Sequence, residues 1–431
     1  MALGAVLLAW AMYWLDSRIP NEALENSRFV LSGSVGELRT TLITIATTTL
    51  ATAGVVFTLL TLPLSTVAAQ YGSRLLRVFL GDRTTQMVLG MFVATFVYGI
   101  AGALSILPVQ VQPQGPQITA TVGLYLMMAT FASLIVLVQH ISTMLQAPNI
   151  AAAAGTELTQ VVQAEIPNGV TSGDDRAIAI AGQTGRSAPD TPAGKNTVMG
   201  TEGYPVRLSS TGYLQYIDPE IMLTLARKKD LVIRLLHKPG HFVGRGVVVA
   251  QVWPADSVEE QLEAQFRQAF QIGNVRTPTQ DVEYAVNQLV EMAVRAMSPA
   301  INDPFTAMTC LDHLGEGLAQ FIRQGEKGSY YYDREGRLRL VLEPVTFDQL
   351  LSAAFDMLRH ASCGNSSVLL HMLEVIDVIG REVKAPDARQ QLLRHVSLIQ
   401  AESQAGDLIE QDRQAIHLTA QALQTKLEGA P

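Results

Sequence analysis

Between Arg39 and Arg74, and again from Thr84 to Thr156, the chain carries no Asp, Glu, Lys or Arg. Soluble domains rarely leave such lengths uncharged, whereas a helix needs about 20 apolar residues to cross the hydrocarbon core of a bilayer. The pattern predicts an α-helical membrane unit over 1–150 with about four transmembrane helices. A short one covers Ala2–Leu15, and the others cover about Thr41–Leu64, Gln86–Leu107 and Ala120–Leu145. The first lacks the basic lead and small-residue cleavage site of a signal peptide, so it reads as a helix whose beginning precedes this chain.

Beyond the fourth span, helical periodicity continues to about Ile166. It gives way to a Gly, Ser, Thr and Pro-rich stretch, so 151–203 is expected to be a helix extension and linker. From Tyr204 the pattern turns β-like: "YPVRLSS", "GYLQYI", "LVIRLL" and "VVVAQV" read as strands, interrupted by the helical "DPEIMLTLARKKD" and the turn "KPGHFVGRG". These predict a small β-rich, barrel-like module over 204–254, with Gly240, Gly244 and Gly246 at bends. Its shape is similar to that of biotinyl and lipoyl carrier domains, without their modifiable Met-Lys lysine.

Residues 255–431 read as a mainly helical domain. Val282, Ala285, Val286, Leu289, Ala293 and Met297 repeat at helical spacing, giving one buried face. A hairpin is expected near 330–344, turning at Glu335-Gly336, with helices around 347–360, 366–384, 386–402 and 405–428. Together these predict an α+β domain with a helical C-terminal part, following the membrane unit.

The 431 residues carry a net charge of −8. Residues 1–150 hold six basic and five acidic side chains, so the acidic excess lies in the second part. That excess argues against nucleic acid as a partner. The loop after the second span carries Arg74, Arg77 and Arg83, and the "PVQVQPQGPQIT" loop carries no charge, which predicts a cytoplasmic C-terminal domain. Cys310 and Cys363 then read as reduced thiols.

Two stretches resemble sites. In "RTPTQD" Thr277 precedes Pro278 and Gln280, the pattern of a capping box with proline at the first helical position. In "RAMSPAINDPFTAM" Asn302 or Asp303 precedes Pro304, repeating the pattern. Capping accounts for both, at roughly 1 kcal/mol each. If the two helix starts converge, however, Arg276, Thr277, Gln280, Asp281, Ser298, Asn302 and Asp303 exceed what capping needs and would hold a small ligand or ion. In the second span Thr44, Thr48 and Thr52 recur every fourth residue after Thr41. Such a stripe packs helices by bonding back to its own carbonyls, or lines a hydrated pathway between subunits.

Other features have plainer readings. "RLLRVFLGDR" reads as an amphipathic segment at the inner membrane surface. His140 reads as an interfacial or packing residue, and His237 and His241 flank a turn without a third zinc ligand. No P-loop, dinucleotide glycine motif, HExxH or EF-hand loop occurs. We therefore expect no catalytic residues, no metal and no cofactor, and an enzyme is not the favoured class.

The blocks "QYGSRLLRVFLGDRTTQMVLGMFVATFVYGI", "STGYLQYID", "KPGHFVGRG" with "AQVWP", and "RTPTQDVEYAVNQLVEMAVRAMSPAINDPFTAMTCLDHL" resemble a bacterial membrane-protein family, the domain of unknown function numbered twenty-two fifty-four. The resemblance covers nearly the whole chain. It implies a membrane unit and a cytoplasmic C-terminal domain in the bacterial inner membrane, and it brings no activity with it. The leading expectation is a homo-oligomeric, channel-like transport protein in the lipid bilayer, with a cytoplasmic assembly or gating domain. The alternative is a membrane-anchored ligand sensor or scaffold that transports nothing.

Overall fold

The computed structural model describes residues 1–19, 29–71, 82–106, 116–144, 146–164, 202–325, 330–333 and 335–429. The chain divides into two compact units, Met1–Ile150 and Ala151–Pro431.

The first unit contains α1 (Ala2–Asp16), α2 (Val35–Tyr71), α3 (Arg83–Ser105) and α4 (Gln117–Met144). Among the described residues three segments are long and apolar enough to cross a membrane: Val35–Thr61, Arg83–Ser105 and Gln117–Met144. The expected first span, α1, is a shorter apolar helix and is not among the three. The 15 residues of α1, at 1.5 Å each, reach roughly 22 Å, short of a hydrocarbon core about 30 Å thick. Arg74 and Arg77 of the expected amphipathic segment, and most of the linker, lie outside the described residues.

Small residues let the membrane helices approach closely. A Cβ on Gly99 of α3 would lie 2.8 Å from the Leu42 carbonyl oxygen of α2 and 3.0 Å from Ala46 Cβ. One carboxylate ties each end of the bundle. Asp16, at the end of α1, accepts hydrogen bonds from Ile118 N, Thr119 N and Thr119 Oγ1, so it caps α4 from a neighbouring helix. Asp82 accepts from Thr85 N at the start of α3 and lies 3.1 Å from His140 Nε2 of α4. His140 thus joins α4 to the start of α3.

Helix α5 (Ala147–Ala164) runs across the boundary, and the second unit continues with β1 (Tyr204–Arg207), β2 (Gly212–Ile217), α6 (Pro219–Lys228), β3 (Val232–Leu235), β4 (Phe242–Val243) and β5 (Val248–Trp253). Next come α7 (Glu260–Gln268), β6 (Phe270–Gly273), α8 (Val282–Ala296), α9 (Pro304–Gln324), β7 (Tyr330–Tyr332) and β8 (Leu338–Val341). Four helices close the chain: α10 (Phe347–Ala361), α11 (Ser366–Gly380), α12 (Pro386–Ala405) and α13 (Glu410–Gly429).

The strands form two sheets, ordered β1-β5-β3-β8-β7 and β4-β2-β6. The four strands read from the sequence are present, but the barrel-like unit expected of them is not closed on itself. β8 of the hairpin pairs parallel with β3, Ile233 opposite Leu340, and β6 pairs with β2. Side chains from both sheets, with Met222, Leu225 and Phe266 of the intervening helices, share one core.

Candidate functional site

The turn between β3 and β4 organises the most distinctive region of the second unit. Gly240 has φ +93, a left-handed conformation that glycine adopts without a Cβ penalty. Its N–H donates to the Leu214 carbonyl at 2.8 Å, and Leu214 N donates to His241 O at 2.9 Å, pinning the turn to β2. Space is a second reason for glycine. A Cβ there would overlap the Asp281 carboxylate and come within 3.0 Å of Arg276 Nη2.

Asp281 and Arg276 form a bidentate pair, Nε to Oδ2 and Nη2 to Oδ1, both 2.8 Å. Asp281 is only 3% exposed, and its Oδ1 also accepts from Tyr284 N at 2.9 Å as the cap of α8. Burial opposes the charge on Arg276, but the bonds to Asp281 outweigh it and hold the guanidinium above its ordinary pKa. The guanidinium also lies 5.5 Å from the centre of the Tyr284 ring.

This corrects the expected capping box. Helix α8 begins at Val282, not Pro278, and its cap is Asp281, not Thr277. Gln280 is engaged elsewhere: Oε1 accepts from Ile217 N at 2.9 Å and Nε2 donates to Ile217 O at 3.0 Å, extending β2 as another strand would. Thr277 Oγ1 is buried with no hydrogen-bond partner among the described residues.

The second stretch lies at the other end of α8. Ser298 O accepts from Ile301 N and Asn302 N, Asn302 has φ +49, and Asp303 caps α9 by accepting from Thr306 N at 3.1 Å. The 15 residues of α8 span roughly 22 Å. Arg276, Gln280 and Asp281 therefore gather at one end of that helix, and Ser298, Asn302 and Asp303 at the other; the two helix starts do not converge.

Two hollows share the Lys238–His241 turn as a wall. The first is lined by Ile217, Pro219, Leu235, Phe321, Tyr331, Leu340, Leu342, Pro344 and Val345, with His237, Lys238, Gln280 and Glu343 as its polar groups. The second is an open polar cleft where Gly240, His241, Arg276 and Glu283 face Asp348, Gln349 and Ser352 of α10. Lys238 Nζ donates to Gln349 Oε1 at 3.0 Å and so ties the turn to the capping box of α10. Burial, then the nearby charges of Lys238 and His237, hold the His241 imidazole below its ordinary pKa.

The apolar hollow escaped the sequence reading, because its walls come from β2, α6, β3, α9, β7 and β8. Only Pro239-Gly240 and "LEPV" after β8 hinted at unusual turns there. Cys310 is buried, and burial pushes its thiol up to about 12, which removes it as a nucleophile at neutral pH. Among the described residues no group of three His, Cys, Asp or Glu side chains could hold a metal ion.

On α2, the hydroxyls of Thr41, Thr44 and Thr52 donate to Glu37 O, Thr40 O and Thr48 O of their own helix. Thr44 is exposed, while Thr41, Thr48 and Thr52 are half-buried.

Apolar helices long enough to span a bilayer, joined in sequence to an α+β unit with a lined hollow, define a membrane protein with a separate folded domain. The chain belongs to the family described as "Predicted membrane protein (DUF2254)", whose model matches residues 1–377. It is similar to an uncharacterized protein of Mycobacterium bovis and to one of Mycobacterium tuberculosis. Each is 26% identical over 411 residues, covering 94% of this chain and 75% of the relative. No solved structure matches the chain.

Proposed function

We propose that this is a membrane-anchored ligand-binding protein whose second unit takes a molecule with an apolar body and one polar end into the hollow beside the Lys238–His241 turn. The observation that carries the reading is the lining: mostly apolar walls with a few polar groups, the usual composition of a small-molecule site. The Arg276–Asp281 pair holds that wall in place, and Gln280 lines the hollow while its amide is bonded to Ile217. The other candidates, Ser298, Asn302 and Asp303, shape a turn remote from it, and Thr277 packs in the loop before α8. In this reading the domain faces the cytoplasm of a bacterium, beneath its inner membrane.

The test is thermal unfolding of the full chain in detergent with octanoate or octylamine added. A higher melting temperature with one of them, lost in Leu342→Trp, supports the reading and gives the sign of the polar end. No shift with either contradicts it.

A second reading, a homo-oligomeric channel-like protein, rests on exposed Thr44 and its half-buried neighbours Thr41, Thr48 and Thr52. An oligomer that turned this face inward would line a pathway with hydroxyls. Ion flux in liposomes that falls when Thr44, Thr48 and Thr52 become valine supports it; flux absent from the wild type removes it.

A further inference from the structure

The apolar and the charged parts of the hollow differ in depth. Phe321, Tyr331 and Leu340 of its lining are buried, whereas Lys238 is half-buried and Glu343 exposed. Gln280 spends its amide on Ile217. Lys238 and Glu343 are therefore the ammonium and the carboxylate that the lining offers to a ligand.

Neither charge is neutralised by the fold. Among the described residues the one partner of Lys238 Nζ is the neutral Gln349 Oε1 at 3.0 Å, which leaves two of the three N–H donors of an ammonium. Glu343 makes no hydrogen bond or ion pair among the described residues, so the two charges are not paired with each other. They nevertheless stand on neighbouring segments. Strands β3 and β8 run parallel, Ile233 opposite Leu340 and Arg234 opposite Val341, and neighbouring strands lie about 4.8 Å apart. The chain leaves this pair after Leu235 and after Val341, and within three residues it reaches Lys238 on one side and Glu343 on the other. Both charges reach His241: burial, then Lys238 and His237, lower its pKa, and Glu343 raises it.

We propose that the ligand of the hollow is an α-amino acid with a large apolar side chain, its carboxylate on Lys238, its ammonium on Glu343 and its side chain against Phe321, Tyr331 and Leu340. This rests on the ligand-binding reading of the hollow and gives the polar end both signs. A head with one charge would be attracted by one group and repelled by the other. An amino acid carries both charges on one carbon and answers both, whereas either end of a peptide carries only one.

The test is isothermal titration calorimetry of the full chain in nonionic detergent with L-2-aminooctanoate, octanoate and octylamine, each corrected for mixing with detergent alone. The amino acid is expected to bind about tenfold tighter than either singly charged amphiphile, about 1.4 kcal/mol for the second charged contact. Lys238→Met is expected to erase its preference over octylamine, and Glu343→Gln its preference over octanoate. Lys238→Arg keeps the charge and is expected to keep the preference. Each variant is read as a ratio of affinities on one protein, so a change in stability does not imitate the result. Octanoate or octylamine binding as tightly as the amino acid overturns the inference and leaves the hollow a site for a singly charged ligand. A preference that survives in Lys238→Met or in Glu343→Gln overturns it too. Binding of none of the three overturns the inference and the reading of the hollow together.

Discussion

The two ends of α8 use the same vocabulary, a proline, an aspartate cap and a residue or turn in left-handed conformation, to opposite effect. At the Asp281 end the cap is 3% exposed, held by two hydrogen bonds from Arg276 and pressed by Gly240, so two segments some forty residues apart meet at one carboxylate. At the Asp303 end the cap serves only its own helix, and the residues around it are exposed. The difference teaches that a capping pattern reports a helix start and nothing about what surrounds it. Burial and long-range partners decide whether the start supports a site.

The comparison can be broken by substitution. Asp281→Ala removes a cap and leaves the Arg276 charge, a quarter exposed, without its partner; the expected loss is about 3 kcal/mol, read by thermal unfolding of the full chain in detergent. Gly240→Ala places a Cβ against Asp281 at a positive φ, with an expected cost of about 2 kcal/mol and loss of ligand binding at the shared wall. Asp303→Ala costs only a cap, about 1 kcal/mol. Asn302→Ala forces alanine into a left-handed conformation and costs at most about 1 kcal/mol, with ligand binding unchanged. A cost at Asp303 as large as that at Asp281 would erase the distinction.

Acid sharpens the comparison further. The His241 pKa is depressed in the fold by burial, then by Lys238 and His237, against the opposing pull of Glu343 and Glu283. A depressed histidine contributes stability above its unfolded pKa of about 6.5 and loses it as pH falls through that value. Protection of the Gly240 amide from hydrogen exchange should therefore weaken as pH falls below about 6.5, after correction for intrinsic exchange. Protection at Thr306 should hold.

Much of the architecture was legible locally. The period-3.6 stripe of α8 and the strands β1, β2, β3 and β5 follow from residues that touch their own neighbours in sequence. What failed did so where distant chain decides. "FQIG" is too short to announce β6, and it is a strand because β2 offers it an edge. Gln280 looked like half of a capping box, but Ile217 of β2 takes its amide. The hollow has no sequence signature, because residues from six elements line it and none of them is chemically unusual. In the membrane unit, uncharged runs revealed the apolar helices, while the interhelical cap by Asp16 depends on a partner beyond residue 100.

The most direct test of which end of α8 supports the site is native mass spectrometry of the full chain released from lipid nanodiscs, comparing wild type, Leu342→Trp and Asn302→Ala. The account predicts a bound small molecule in the wild type and in Asn302→Ala, and none in Leu342→Trp. A bound species that survives Leu342→Trp and disappears in Asn302→Ala would contradict it and move the site to the other end of the helix.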